Sequence, residues 1–91
     1  MKFEWDPEKE KINRQKHGIS FKVAARIFSD SNRLEKYDES HSENEERWQA
    51  LGMVWPNLLI VVFAIRDNED VYRIISARKA NANERKEYYN F

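Results

Sequence analysis

The sequence predicts an α+β fold, an antiparallel sheet preceded by two helices and followed by one. Three observations point there. Two helical patterns with cap residues occupy the first third of the chain. A fully apolar, β-branched run, "LLIVVFAI" (Leu58 to Ile65), lies between two alternating segments. The chain then closes on a helical pattern introduced by asparagines. The predicted order is β-α-α-β-β-β-β-α, with residues 1–91 as one domain.

"KFEW" alternates apolar and polar residues and reads as a first strand. Asp6 follows as an N-cap with Pro7 at the first helical position, where a missing N–H leaves nothing unsatisfied. Glu8 and Glu10 come early in this helix; Arg14, Lys16 and His17 come late, an order that matches the helix dipole at both ends. Gly18 supplies the left-handed residue after the last turn. Ile12 is the one strong apolar anchor, so the helix is expected on the surface along one edge. Ser20 caps a second helix, "FKVAARIFSD". Phe21, Ala24, Ala25 and Phe28 fall at i, i+3, i+4 and i+7, and Val23 and Ile27 widen the stripe. The connection "GIS" predicts a corner between the two helices.

The remainder is mostly strand. "NRLEKYDES" reads as a polar edge strand, "HSENE" as a loop and "ERWQALGMV" as a strand whose Gly52 marks a bulge or a close backbone approach. "WPN" is a turn. "LLIVVFAI" is a central strand buried on both faces. "RDNED" turns into the last strand, "VYRIISA", on which alternation puts Tyr72, Ile74, Ser76 and Arg78 on one face. Asn81 or Asn83 caps the final helix, "NANERKEYYNF".

Composition excludes several functions. The chain has no cysteine, which rules out disulfides, thiolate catalysis and cysteine zinc sites and suits the cytoplasm. The apolar run is too short to span a bilayer, and "MKFEWDPEKE" has no apolar stretch of the kind a secretory signal needs. Two histidines, no metal motif and only two glycines leave no phosphate cradle and no expected cofactor or metal. Net charge is zero, from 16 Lys+Arg and 16 Asp+Glu. The charges are unevenly spread: residues 1–27 carry 7 basic and 4 acidic groups, residues 28–46 carry 2 and 7, and residues 47–91 carry 7 and 5. The two ends can therefore meet as a basic face despite the neutral total.

Four clusters can carry chemistry. Lys16 and His17 end the first helix, where the dipole favours the imidazolium, a form suited to general acid catalysis; the plainer alternative is that they only cap and balance the helix. Arg47 and Trp48 alternate onto opposite faces, with Trp48 toward the core and Arg47 either functional or simply solvated. Arg73, Ser76, Arg78 and Lys79 lie along the last strand and its exit, or form no more than a basic turn. Glu84, Arg85, Tyr88 and Tyr89 share the last helix, where packing is the simpler role.

In order along the chain, "FEWDPEKEKINRQKHGISF" (Phe3 to Phe21), Arg47, Gly52 and "RIISARKANANER" (Arg73 to Arg85) resemble the BrnT family of bacterial toxins. The resemblance runs over nearly the whole chain, with no recognisable motif between Asp30 and Glu46. It implies a RelE-like fold and a toxin of a type II toxin–antitoxin system. Such a toxin is a ribonuclease that blocks translation, neutralised in a hetero-oligomer by a BrnA-like, DNA-binding antitoxin. The reaction implied is attack of a 2′-OH on the adjacent phosphodiester, which needs a base, an acid and cations but no metal. In that reading Arg47 and Arg78 clamp the scissile phosphate, since a guanidinium can hold two phosphate oxygens. His17 transfers a proton, Lys16 eases nearby negative charge, and Lys79 and Arg85 hold neighbouring phosphates of the RNA. Two other readings compete: a non-catalytic binding module whose basic face grips an acidic partner segment, and a DNA-binding repressor subunit.

Overall fold

The computed structural model describes residues 1–42, 45–66 and 70–90. Strand β1 (Lys2–Glu4) leads into helix α1 (Pro7–His17) and a short helix α2 (Phe21–Ala24) that continues as a 3₁₀ segment (Ala25–Ser29). Strand β2 (Leu34–Tyr37), a 3₁₀ turn (Glu39–His41), strands β3 (Arg47–Val54), β4 (Asn57–Arg66) and β5 (Val71–Lys79), and helix α3 (Ala82–Tyr89) complete the order. The fold is α+β, as the sequence predicts. The predicted loops "HSENE" and "RDNED" fall partly outside the described residues. No helix among the described residues is long and apolar enough to cross a membrane.

The five strands lie in the order β1-β5-β4-β3-β2. All neighbours are antiparallel except β1, which runs parallel to β5. The sequence reading has the sheet antiparallel throughout. That direction is forced only on strands joined by hairpins, and β1 leaves the sheet through α1 instead.

Central β4 is buried on both faces. On one face Leu59, Val61 and Phe63 pack with Phe21, Ala24 and Ile27 of the α2 region. On the other, Leu51, Leu58 and Ile60 pack with Leu34, Met53 and Tyr88. Helix α3 has eight residues, a length of roughly 12 Å, so it covers only part of this second face. The strands beyond it stay open.

Local caps follow the sequence. Asp6 accepts from the Glu8 N–H, Gly18 takes φ 72° and its N–H donates to the Arg14 carbonyl. Ser20 caps α2, and Asn81 forms a capping box with Glu84. The predicted second helix breaks into α and 3₁₀ portions after Ala24, which turns Ile27 into the core.

Helix α1 is not anchored by Ile12, which is 57% exposed, but by Asn13, which is 6% exposed. Strand β1 pairs with β5 only as far as Arg73, so the later part of β5 has an open edge. Asn13 fills it. Its amide nitrogen donates to the Ala77 carbonyl at 3.0 Å, and its oxygen accepts the Ala77 N–H at 3.1 Å. The same amide nitrogen donates to the Ile19 carbonyl at 3.0 Å, fixing the corner between helices.

A second polar side chain closes the other open edge. Strand β2 pairs with β3 only as far as Leu51. Beyond it, the Asp30 carboxylate accepts the Met53 N–H at 2.8 Å and the Tyr88 hydroxyl at 2.7 Å. At this crossing the 3₁₀ segment presses onto Gly52. A Cβ there would lie 2.7 Å from Ile27 Cγ1 and 3.0 Å from Arg33 Cβ, so Gly52 serves a close approach and no bulge.

The bulge lies one strand away. Val62 pairs with Ser76 but Phe63 pairs with Ile74, leaving Ile75 as an extra residue in β5. This corrects the expected face assignment. Tyr72 and Ile74 face the α2 side, whereas Ser76 and Arg78 face the open side.

Replacing Asn13 with Ala removes three hydrogen bonds and strands the buried Ala77 groups. A loss of about 2–4 kcal/mol is expected, read from the urea unfolding midpoint. Burial opposes ionisation of Asp30, but the bonds from Met53, Tyr88 and Asn32 outweigh it and hold its carboxyl below the ordinary value. The bond to Asp30 pushes the Tyr88 hydroxyl up to about 12 from 10.0. A raised folded value stabilises the protonated form. This contribution is therefore full below pH 10.0 and is lost as pH rises toward about 12. Thermal melts across that range should show the decline in wild type, and Tyr88→Phe should lack that component.

Candidate active site

The open part of the second face is built by register. Gln49 pairs with Val62 and Val62 with Ser76, which places the three in one row. One row further along, Arg47 pairs with Ala64 and Ala64 with Arg73. On the α3 side, Leu51 pairs with Ile60 and Ile60 with Arg78. Residues directly opposite across strands share a face. Arg47 and Arg78 therefore approach from diagonal corners.

Between them is a recess of about 240 Å³ lined by Asp38, Arg47, Gln49, Val62, Ser76 and Arg78, with Ile60 and Ile75. Trp48 lies on the far face with the core, as alternation requires. The backbone of Arg47 is tied to the preceding turn. Its N–H donates to Ser42 Oγ at 3.0 Å, and its carbonyl accepts the Asp38 N–H at 2.8 Å. Its guanidinium meets Glu45 only loosely, at 3.8 Å. Arg47 Nε is buried without a hydrogen-bond partner. A buried guanidinium N–H with no protein acceptor suits an anionic oxygen.

Arg78 is held differently. Glu84 takes both ends of its guanidinium, at 2.8 and 2.9 Å, while accepting the Asn81 N–H at 2.8 Å. One carboxylate thus caps α3 and orients the arginine. The bond to Arg78 holds the Glu84 carboxyl below its ordinary value, and Glu84 in turn raises Arg78. The pair stays ionised throughout the neutral range.

The other expected residues are not in this recess. Lys16 is exposed and His17 is half-buried, both at the end of α1. Asn13 pins that helix beside Ala77, so its last turn flanks the exit of β5 and not the open face. Lys79 alternates away from Arg78 and lines a separate hollow with Arg14, Gly18, Ile19 and Ser20. Arg85 is exposed and donates to the Ala80 carbonyl at 3.2 Å. Arg47 and Arg78 both line the recess; Lys16, His17, Lys79 and Arg85 do not. Sequence reasoning missed Asp38, Gln49 and the orienting role of Glu84. The last had a signal, the Asn-x-x-Glu spacing of a capping box followed back to a strand-end arginine.

Helices on both faces of a small mixed sheet, with two arginines converging on an open patch, make up this α+β domain. The 1.1 Å crystal structure of the Brucella abortus ribonuclease toxin BrnT is similar. It is 25% identical, with a TM-score of 0.66 over 89% of this chain and 97% of that one. The family described as "Ribonuclease toxin, BrnT, of type II toxin-antitoxin system" matches residues 5–84, and the chain belongs to it. No curated protein sequence matches the chain.

Glu84→Gln keeps an acceptor for the cap but removes the charge facing Arg78, whereas Glu84→Ala removes both. Thermal denaturation should rank wild type above Gln and Gln above Ala, with the Ala variant lower by about 1–2 kcal/mol. A folded carboxyl below its ordinary value stabilises above that value. The wild-type advantage should therefore shrink as pH falls below the ordinary glutamate value of 4.5.

Proposed function

We propose that this chain is an endoribonuclease that cleaves cytoplasmic RNA and so inhibits translation. A small DNA-binding antitoxin of the BrnA kind neutralises it in a hetero-oligomer. Membership of a ribonuclease-toxin family supports the activity. The observation that carries the mechanism is the recess shared by Arg47 and Arg78.

In the proposed reaction the 2′-oxygen loses a proton and bonds to the adjacent phosphorus. The bond from phosphorus to the 5′-oxygen breaks, and that oxygen takes up a proton. The products are a 2′,3′-cyclic phosphate and a 5′-hydroxyl. Negative charge grows on the non-bridging oxygens in between. Arg47, with its unpaired buried Nε, and Arg78, pre-aimed by Glu84, stabilise that charge without reorganising. Proton transfers and fixed cations suffice, so no metal ion enters the scheme. His17 is assigned the proton transfer, with Lys16 beside it; both stand outside the recess, so this role requires the RNA strand to extend to the end of α1. Lys79 and Arg85 bind the flanking strand outside the recess.

Arg47→Ala and Arg78→Ala should each slow cleavage of a short RNA by roughly 10²–10³, by analogy with loss of one oxyanion donor. His17→Ala should also slow it, and a chelator should leave the wild-type rate unchanged. Induction of the chain alone should arrest host growth, and the two arginine variants should not. Wild-type cleavage by both arginine variants would refute the clamp.

A further inference from the structure

Register puts four arginines on the open face: the recess uses Arg47 and Arg78, and Arg66 is paired with Glu4. The fourth is Arg73. It lies five residues before Arg78, an odd spacing that puts two residues on opposite faces of a regular strand. The surplus Ile75 cancels that parity. Arg73 is directly across from Ala64, which is directly across from Arg47, so Arg47 and Arg73 stand on one face with a single small residue between them. Two strand spacings put their Cα atoms about 10 Å apart. The row Gln49, Val62 and Ser76 then has arginines at three of its four surrounding corners; the fourth, Leu51, is in the cluster beneath α3.

Arg73 also differs from its neighbours in being uncommitted. Arg78 is held by Glu84, and Arg47 is met loosely by Glu45 at 3.8 Å. The acid paired next to Arg73 in the sheet, Glu4, is engaged with Arg66 at 3.3 Å. Among the described residues the Arg73 side chain makes no hydrogen bond or ion pair. Arg73 is thus half-buried on the face that holds the recess, with its nearest acid turned to another partner.

We propose that Arg73 binds the RNA phosphate adjacent to the one held in the recess, so that the backbone crosses the open face from Arg78 past Arg47 and Ser76 to Arg73. This rests on RNA being the ligand. It also answers how a chain of zero net charge holds a polyanion: the contact is a local row of guanidiniums.

The test uses the full chain and a short single-stranded RNA carrying 2′-O-methyl groups throughout, which cannot be cleaved by 2′-oxygen attack. Binding is followed by fluorescence anisotropy across a series of salt concentrations. Arg73→Gln should weaken binding about fivefold near 0.1 M salt and flatten the log–log salt slope by about 0.7, the loss of one single-strand phosphate contact. Arg73→Lys should restore the slope. Lys9→Gln, on exposed α1, should leave slope and affinity as in wild type. An unchanged slope in Arg73→Gln overturns the proposal, and so does an equal change in Lys9→Gln, which would mean diffuse attraction. If Arg73→Gln melts lower than wild type, Arg73→Lys decides: recovered melting without a recovered slope counts against it. Failure of wild type to cleave unmodified RNA would overturn the ribonuclease reading alone, because the binding measurement does not depend on cleavage.

Discussion

The structure depends on how two short outer strands leave two inner strands with bare edges. An unpaired peptide edge inside a protein needs a donor and an acceptor in fixed register. Asn13 offers both in one group, because its side chain is itself a primary amide. It completes the β5 edge at Ala77 and holds Ile19 at the same time. Asp30 meets the different need at β3, where an N–H wants an acceptor, and its second interaction captures Tyr88 from the opposite side of the sheet. Helices on both faces are thus tied to the sheet at its margins as well as through the core.

That arrangement leaves part of one face uncovered, and the arginines are there. Arg47, Arg73 and Arg78 lay their stems on a well-packed sheet, the Arg47 Nε buried and the Arg78 side chain partly exposed. Glu84 restrains Arg78 and so trades some positive charge for orientation. The neutral total of the chain therefore says little about any one patch. Seven of the sixteen acidic residues fall within residues 28–46, and of these Asp38 lines the recess and Glu45 meets Arg47.

Much of this was legible in the sequence, and for stated reasons. Caps, glycine stops and the apolar run are local signals, and Asp6, Ser20, Gly18 and β4 occur where they point. The corner between the early helices follows from the shortness of "GIS". The anchoring role of Asn13 was not legible, since a buried asparagine in a polar helix looks like any surface residue until its distant partner is known. Alternation failed at Ile75 because period-two arguments assume an unbroken strand. Of the candidate site, Arg47 and Arg78 came together as a pair only through the family resemblance; strand position and residue type alone left each as readily a solvated or turn residue. Their relation to His17 depended on how α1 docks, and that is set by Asn13.

The extra residue at Ile75 has a wider meaning. Core residues of β5 occupy even positions before it and an odd one, Ala77, after it. A chain one residue shorter at that point could still form a strand with similar hydrophobic content, yet half its side chains would swap sides. Lineages that gain or lose a residue here would have to change composition on one flank of the kink or surrender either packing or cationic surface. Register, as much as residue identity, is therefore an inherited trait of this sheet.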